Sequence, residues 1–376
     1  MNIEKFVENL KNNNIDFFTG VPDSLLKPLC NYLIKTYGIS DKHIITANEG
    51  NAVALAAGYH LATGNVPCVY MQNSGLGNII NPVASLLNDK VYGIPCVFVV
   101  GWRGEPGKAD EPQHLFQGEI TTKLLDVLNI DYMIITQETT ENELENKMKD
   151  FKELLNSGKS VAFVVTKGGF SYDEKVTYKN NNTTIREDII REITIASKED
   201  IIVSTTGKSS RELFEIREEN KQSHKYDFLT VGSMGHSSTI ALGVALNKPN
   251  KKVWCIDGDG AALMHMGSMA VIGQKAVNNL IHVIINNGAH ESVGGQPTVA
   301  DKIDFIKIAL GCGYKSAYRA TSINELKNIL KTIANEQGPI LLEVKAAIGS
   351  RDNLGRPTTT PVENKNAFMN NLRECK

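Results

Sequence analysis

No two cysteines in this chain are spaced as Cys-x-x-Cys. The six, Cys30, Cys68, Cys96, Cys255, Cys312 and Cys375, are scattered, so no zinc-ribbon or dithiol motif is written into the sequence. Several sit in apolar runs, where cysteine acts as a small hydrophobe in a reducing compartment. No uncharged apolar run reaches membrane-spanning length, which argues against a membrane protein. The opening residues, Met1-Asn2-Ile3-Glu4-Lys5-Phe6, lack the basic region and apolar core of a signal peptide, so a cytoplasmic location is expected. An excess of one charge is missing too. With 40 Lys and Arg against 42 Asp and Glu, the formal net charge is −2. There is no electrostatic case for nucleic acid, and any phosphate recognition must be local. Neither a Gly-x-Gly-x-x-Gly with an acidic partner nor a Gly-x-x-x-x-Gly-Lys-[Ser/Thr] loop is present, so a dehydrogenase or P-loop kinase lacks its own signal.

What is present is an alternation of short apolar runs and helical patterns over 376 residues, with 41% hydrophobic and 22% charged residues. Continuous apolar runs such as Pro95–Val100 and Val161–Val165 predict strands buried on both faces of a parallel sheet. The alternation lapses from Lys167 to Thr184 and then restarts. The expected fold class is therefore α/β, with two doubly wound parallel-sheet domains at 1–167 and 186–348. Residues 168–185 read as a linker, with too little apolar content for a core. Residues 349–376 read as a polar C-terminal arm.

The stretch from Ile256 to Asn287 organises the rest. A strand runs into Gly258-Asp259-Gly260, a segment of helical character follows from near Ala261, and a second strand, Ile281–Ile285, stops at Asn286-Asn287. Asp259 and one of the two amides would meet at the carboxyl edge of the sheet. The glycines leave room for a phosphate close to the backbone. Oxygen ligands there suit Mg²⁺, which readily bridges a carboxylate and a diphosphate.

Gly258-Asp259-Gly260, twenty-five intervening residues and Asn286-Asn287 resemble the cofactor fingerprint of the thiamine diphosphate enzymes. The segment Asn48-Glu49-Gly50-Asn51-Ala52 resembles that family's helix start, and Gly232-Ser233-Met234-Gly235 its turn beneath the cofactor. The loops Gly20–Ser24, Trp102–Gly107, Asp110–His114 and Glu291–Thr298 are similar to those of the two-domain decarboxylases of phosphonopyruvate and sulfopyruvate, which lack a middle domain.

The resemblance implies two domains of the thiamine diphosphate-binding fold, with thiamine diphosphate and Mg²⁺ as cofactors. It implies non-oxidative decarboxylation of a 2-oxo acid bearing a phosphonate, 3-phosphonopyruvate, to phosphonoacetaldehyde and carbon dioxide, with the sulfonate analogue, or another 2-oxo acid decarboxylase or carboligase, as the alternative. It assigns Glu49 to the aminopyrimidine ring, and Asp23 and His114 to proton handling at the reacting carbonyl. His114 suits that work because histidine titrates near neutrality. Met234 is the apolar wedge under the cofactor and the Gly232 carbonyl an acceptor beside it. Gly258, Asp259, Gly260, Ala261 and Gly207 face the diphosphate. Asp259, Asn287 and the Ala289 carbonyl are the expected metal ligands, with Asn286 as the other amide. A multiply charged substrate needs fixed positive charge, for which Arg103, Lys108, Arg351 and Arg356 are candidates. In this family the two ends of a cofactor are held by different subunits, so a homodimer or larger even assembly is expected, with no nucleic acid or membrane partner.

Overall fold

The computed structural model describes residues 1–174 and 176–374. Lys175 of the expected linker, Cys375 and Lys376 of the expected arm, and the side chain of Ser292 lie outside the described residues. The chain forms two compact units, the first Met1–Thr177 with Ser292–Pro297 and the second Tyr178–Glu291 with the chain from Thr298 on.

In the first unit six strands, β1 (Phe18–Gly20), β2 (His43–Ile45), β3 (Cys68–Gln72), β4 (Val97–Gly101), β5 (Asp131–Ile135) and β6 (Val161–Val165), form one sheet in the order β2-β1-β3-β4-β6-β5. All pairings are parallel, for example Tyr70 with Val99 and Val99 with Phe163. Successive side chains alternate between faces. Val97 and Val99 therefore join one core with Phe6, Leu10, Leu33 and Phe151. Phe98 and Val100 join the other with Ala52, Val53 and Ile79. Burial on both faces explains why β4 is apolar throughout. The covering helices are α1 (Ile3–Asn12), α2 (Lys27–Tyr37), α3 (Glu49–Thr63), α4 (Leu76–Pro82), α5 (Pro112–Val127) and α6 (Glu141–Asn156). A parallel sheet puts all strand ends on one edge. Val21–Asp23, Asn73 and Trp102–Arg103 therefore leave the sheet side by side, where ligands of such folds bind.

The second unit repeats the plan. Its strands are β7 (Ile201–Ser204), β8 (Asp227–Leu229), β9 (Val253–Gly258), β10 (Leu280–Asn286), β11 (Ser316–Ala320) and β12 (Ile340–Lys345), in the order β8-β7-β9-β10-β12-β11. Counted within each unit, the strand order is the same, 2-1-3-4-6-5. The helices are α7 (Arg186–Ser197), α8 (Lys208–Glu219), α9 (Ser237–Asn247), α10 (Asp259–Met264), α11 (Gly267–Lys275), α12 (Phe305–Gly311), α13 (Ile323–Ile333) and α14 (Pro361–Glu374). No helix of the described residues is long and apolar enough to cross a membrane.

The structure departs from the expected architecture in three places. The segment after Gly258 begins its helix at Asp259 and breaks at His265, giving two short helices instead of one. The expected linker is anchored at both ends. Phe170 is buried in the first unit's core, while Asn180 and Asn182 donate to the Ala346 carbonyl of the second unit. The expected arm ends in a docked helix. Phe368 packs its ring 5.5 Å from Phe228, and Asn364 accepts from Leu229 N–H and donates to the Asp227 carbonyl. This amide closes the edge of β8 much as another strand would.

Candidate active site

In the first unit Asn48 caps α3 by accepting from Gly50 N–H at 2.7 Å. That fixes Glu49 in the first turn, where it is 4% exposed. Its Oε2 accepts from Asn78 Nδ2 at 2.7 Å. A methyl group on Gly75 would lie 2.6 Å from Glu49 Oε1 and 2.7 Å from its Cγ, so any side chain there must displace the carboxyl. Burial pushes the carboxyl above the ordinary range, and the Asn78 bond offsets this only in part. Glu49 is therefore a carboxyl held in a dry niche, with Oε2 engaged by Asn78 and its pKa raised by burial.

Asp23 follows β1 and is fully buried. It accepts from Gln72 Nε2 at 2.6 Å and from Leu25 N–H at 3.0 Å. Gly101, the last residue of β4, gives it room, because a methyl there would sit 2.1 Å from Asp23 Oδ2. Burial raises this carboxyl too, against the pull of Gln72 and Arg103. Arg103 donates to both oxygens of Asp110, at 2.8 Å through Nε, and to Ser24 Oγ at 3.2 Å. The Asn73 amide clamps Arg103 on both sides of its peptide, at 2.8 and 3.2 Å. Burial works against the Asp110 anion, but Arg103 and the N–H groups of Glu111 and Gly104 hold its carboxyl well below the usual range. His114, in the first turn of α5, is half-buried. Burial and the neighbouring Arg103 bring it down to about 4. The expectation of titration near neutrality is corrected: His114 is a neutral imidazole at physiological pH. Arg103 acts electrostatically on both Asp23 and His114.

In the second unit Asp259 opens α10 and is 3% exposed. Its Oδ2 accepts from Thr298 Oγ1 at 2.5 Å. Burial raises its pKa to about 6, and the groups easing that rise are donors, the Thr298 hydroxyl and the N–H groups of Asn287 and Gly260. The thioether of Met234 lies against this turn, since a methyl on Gly260 would meet Met234 Cε at 3.3 Å. Ser233 and Gly235 on either side have φ of 59° and 86°, a tight turn that presents Met234.

The two amides differ. Asn286 is fully buried, donates to Glu343 Oε1 at 2.8 Å and accepts from Gly288 N–H at 3.0 Å, so both its ends are engaged beneath the sheet edge. Asn287 donates to Glu291 at 2.9 Å and accepts from Ala289 N–H at 3.1 Å. Glu291 gathers Arg186, Lys208 and the Gly349 N–H as well, at 2.8, 3.0 and 3.2 Å. Burial disfavours its anion, but Arg186 and Lys208 outweigh that and lower its pKa.

The residues fit a metal diphosphate. Asp259 is a buried carboxylate whose partners are all hydrogen-bond donors, and a divalent cation would stabilise its anion. Gly258 and Gly207 have nothing within 4 Å of where a side chain would start. The hydroxyls of Ser204, Thr205 and Thr230, at the carboxyl ends of β7 and β8, are buried without hydrogen-bond partners. Diphosphate oxygens are acceptors that such hydroxyls can satisfy. Helix α10, at six residues, has little dipole to offer, so the charge must come from the cation.

The four basic candidates separate. Arg103 is locked to Asp110. Arg351 donates to Glu187 at 3.0 Å and is also paired with Glu215. Both hold loops and are poorly placed to grip a phosphonate as well. Lys108 and Arg356 are exposed on their loops. Gln72, Asn73, Gly75, Asn78 and Thr298 were not identified from sequence. Their contacts join residues 26 to 49 positions apart, and no local spacing announces them.

Residues 3–127 match the thiamine pyrophosphate enzyme N-terminal TPP binding domain, and residues 205–344 the C-terminal TPP binding domain. The chain is 36% identical over 375 residues to a phosphonopyruvate decarboxylase of Streptomyces viridochromogenes, covering 95% of this chain and 91% of that one. It is 34% identical over 365 residues to one of Streptomyces hygroscopicus, covering 92% and 87%. A sulfopyruvate decarboxylase of Methanosarcina acetivorans is 29% identical over 342 residues, covering 85% and 84%.

Proposed function

The chain belongs to the thiamine pyrophosphate enzymes, in the two-domain group of the phosphonopyruvate decarboxylases, and on that premise we propose that it converts 3-phosphonopyruvate to phosphonoacetaldehyde and carbon dioxide. The observation that carries the substrate is the likeness to two phosphonopyruvate decarboxylases over more than nine-tenths of this chain. When bound, thiamine diphosphate supplies a sink for the electron pair left as carbon dioxide departs.

Asp259, the Asn287 amide oxygen and the Ala289 carbonyl would hold Mg²⁺. Both amides are engaged at each end, and Asn287 is preferred to Asn286 because its own N–H reaches Asp259 and it is the less deeply buried of the two. Gly207, Gly258, Gly260 and Ala261 leave the diphosphate its space, and Met234 with the Gly232 carbonyl would support the rings. Glu49, whose carboxyl pKa burial raises, would share a proton with the pyrimidine ring from Oε1, while Asn78 steadies Oε2. Asp23, whose burial favours the protonated form, would return a proton to the carbon that loses carbon dioxide. His114, neutral, would hold the substrate by hydrogen bonds, and Arg103 would position Asp23 and His114. Lys108 and Arg356 would supply charge for the phosphonate.

The working form would be a homodimer or larger even assembly, with pyrimidine- and diphosphate-holding residues from different copies. A monomer active in the ultracentrifuge would contradict that part. The five buried or half-buried thiols, Cys30, Cys68, Cys96, Cys255 and Cys312, are free, which fits a reducing cytoplasm. Carbon dioxide release from phosphonopyruvate, sulfopyruvate and pyruvate tests the substrate. The highest kcat/KM should fall to phosphonopyruvate, and a preference for the sulfonate would overturn the assignment.

A further inference from the structure

Strands β9 and β10 bring together three side chains that the proposed reaction does not use. Cys255 and Asp257 are two residues apart on β9 and share a face. His282 stands opposite Cys255 in the register of β10. All three are at most 1% exposed, and a sulfur, a carboxylate oxygen and a ring nitrogen from them lie within 4.8 Å of one another. Asp257 Oδ1 accepts from Gly258 N–H at 3.0 Å. His282 Nδ1 is 3.1 Å from the Tyr314 hydroxyl. The other two atoms, Asp257 Oδ2 and His282 Nε2, have no hydrogen-bond partner and stand 3.5 Å apart. That is beyond an ordinary N–H···O bond of about 2.7–3.2 Å. It matches the spacing of about 3.3–3.8 Å between two atoms sharing a tetrahedral cation. A buried polar atom left unsatisfied is destabilising, so two facing each other beside a thiol call for a third party.

We infer that Cys255, Asp257 and His282 form a binding site for zinc, separate from the Mg²⁺ of the diphosphate. Thiolate, imidazole and carboxylate are the ligand types zinc takes, and sulfur disfavours Mg²⁺. A thiolate and a carboxylate also balance two positive charges, so the occupied site is neutral among Val253, Ile284, Phe305, Ala309 and Leu341. The Tyr314 hydroxyl fixes which ring nitrogen faces the ion, the usual task of an outer partner. Through Asp257 Oδ1 the ion braces the Gly258 peptide, one residue before Asp259. The sequence hid this because the three ligands come from two strands and form no Cys-x-x-Cys pattern.

The test is metal analysis of the full chain, prepared with zinc and dialysed to metal-free buffer, without regard to activity. About one zinc per chain is expected, with X-ray absorption showing one sulfur at about 2.3 Å and lighter ligands at about 2.0 Å. Cys255→Ser and His282→Gln should each lose the zinc, and Cys312→Ser should keep it. Wild-type protein with under about 0.1 zinc per chain would overturn the inference, whatever the variants do, given the tight binding expected of a dry thiolate site. So would a zinc shell without sulfur, or zinc retained in folded Cys255→Ser.

Discussion

Replacing Gly75 by alanine isolates the position of one carboxyl. The backbone there has φ −69° and ψ −16°, an ordinary right-handed conformation, so alanine brings no backbone strain. Its methyl would arrive 2.6 Å from Glu49 Oε1 and 2.7 Å from Cγ. To reach an ordinary contact of about 3.4 Å, the carboxyl must move by roughly 0.8 Å, close to the displacement that costs about 10²-fold in rate. It cannot swing into water, being 4% exposed and tied to Asn78. Overpacking of this kind costs about 1–3 kcal/mol, or a fall in Tm of a few to roughly 10 °C for a unit of this size. Gly75→Ala should therefore lose about 10²-fold in kcat/KM while melting as a folded protein. Steady-state carbon dioxide release and circular-dichroism melting are the assays. A folded variant with activity within about twofold of wild type would refute the reasoning, because Glu49 would then not be where the proton moves.

Glu49→Gln should lose about 10²–10⁴-fold in kcat, yet melt higher than wild type at neutral pH. The sign follows from burial. A carboxyl raised in the folded state contributes stability that is complete below its unfolded pKa and is lost as pH rises through the folded one. Glutamine has no such loss, and a lower Tm at pH 7.5 than wild type would contradict this. Asp259 titrates at about 6 without a cation. Calorimetric Mg²⁺ affinity in the presence of thiamine diphosphate should thus fall about tenfold per pH unit below 6 and level off above it. Flat affinity from pH 5 to 7.5 would remove Asp259 from the metal. Phe368→Ala should cost about 3–5 kcal/mol with little change in kcat, since its ring fills the core between α14 and Phe228. A kcat loss with unchanged Tm would instead make the C-terminal helix part of the site.

The sheets were legible because a strand buried on both faces has to be apolar at every position, as Val97–Val100 and Val161–Val165 are. The turn at Gly258-Asp259-Gly260 was legible because two glycines around a carboxylate mark the passage from a buried apolar strand to a helix. Helix α14 was read as an arm because it buries Asn364 and Asn371 beside Phe368, so its inner face carries little apolar signal. Its Thr360 and Glu363 bond reciprocally around Pro361, and that Thr-Pro-x-Glu start was a visible helix signal. Charge was legible in number but not in use. Nothing in the sequence says that Arg103 faces Asp110 or that Arg351 faces Glu187 and Glu215. The lowered pKa of His114 likewise depends on burial, and on the charge of Arg103 nearby, that only the fold creates.

Phosphorus NMR of 3-phosphonopyruvate mixed with the purified chain tests the central claim most directly, with carbon dioxide counted in parallel. Phosphonoacetaldehyde should appear in equal amount to the gas when thiamine diphosphate and Mg²⁺ are both present, and should be absent when either is withheld or Asp259 is replaced by asparagine. Unchanged substrate in the complete mixture, or equal turnover without the cofactors, would contradict the account.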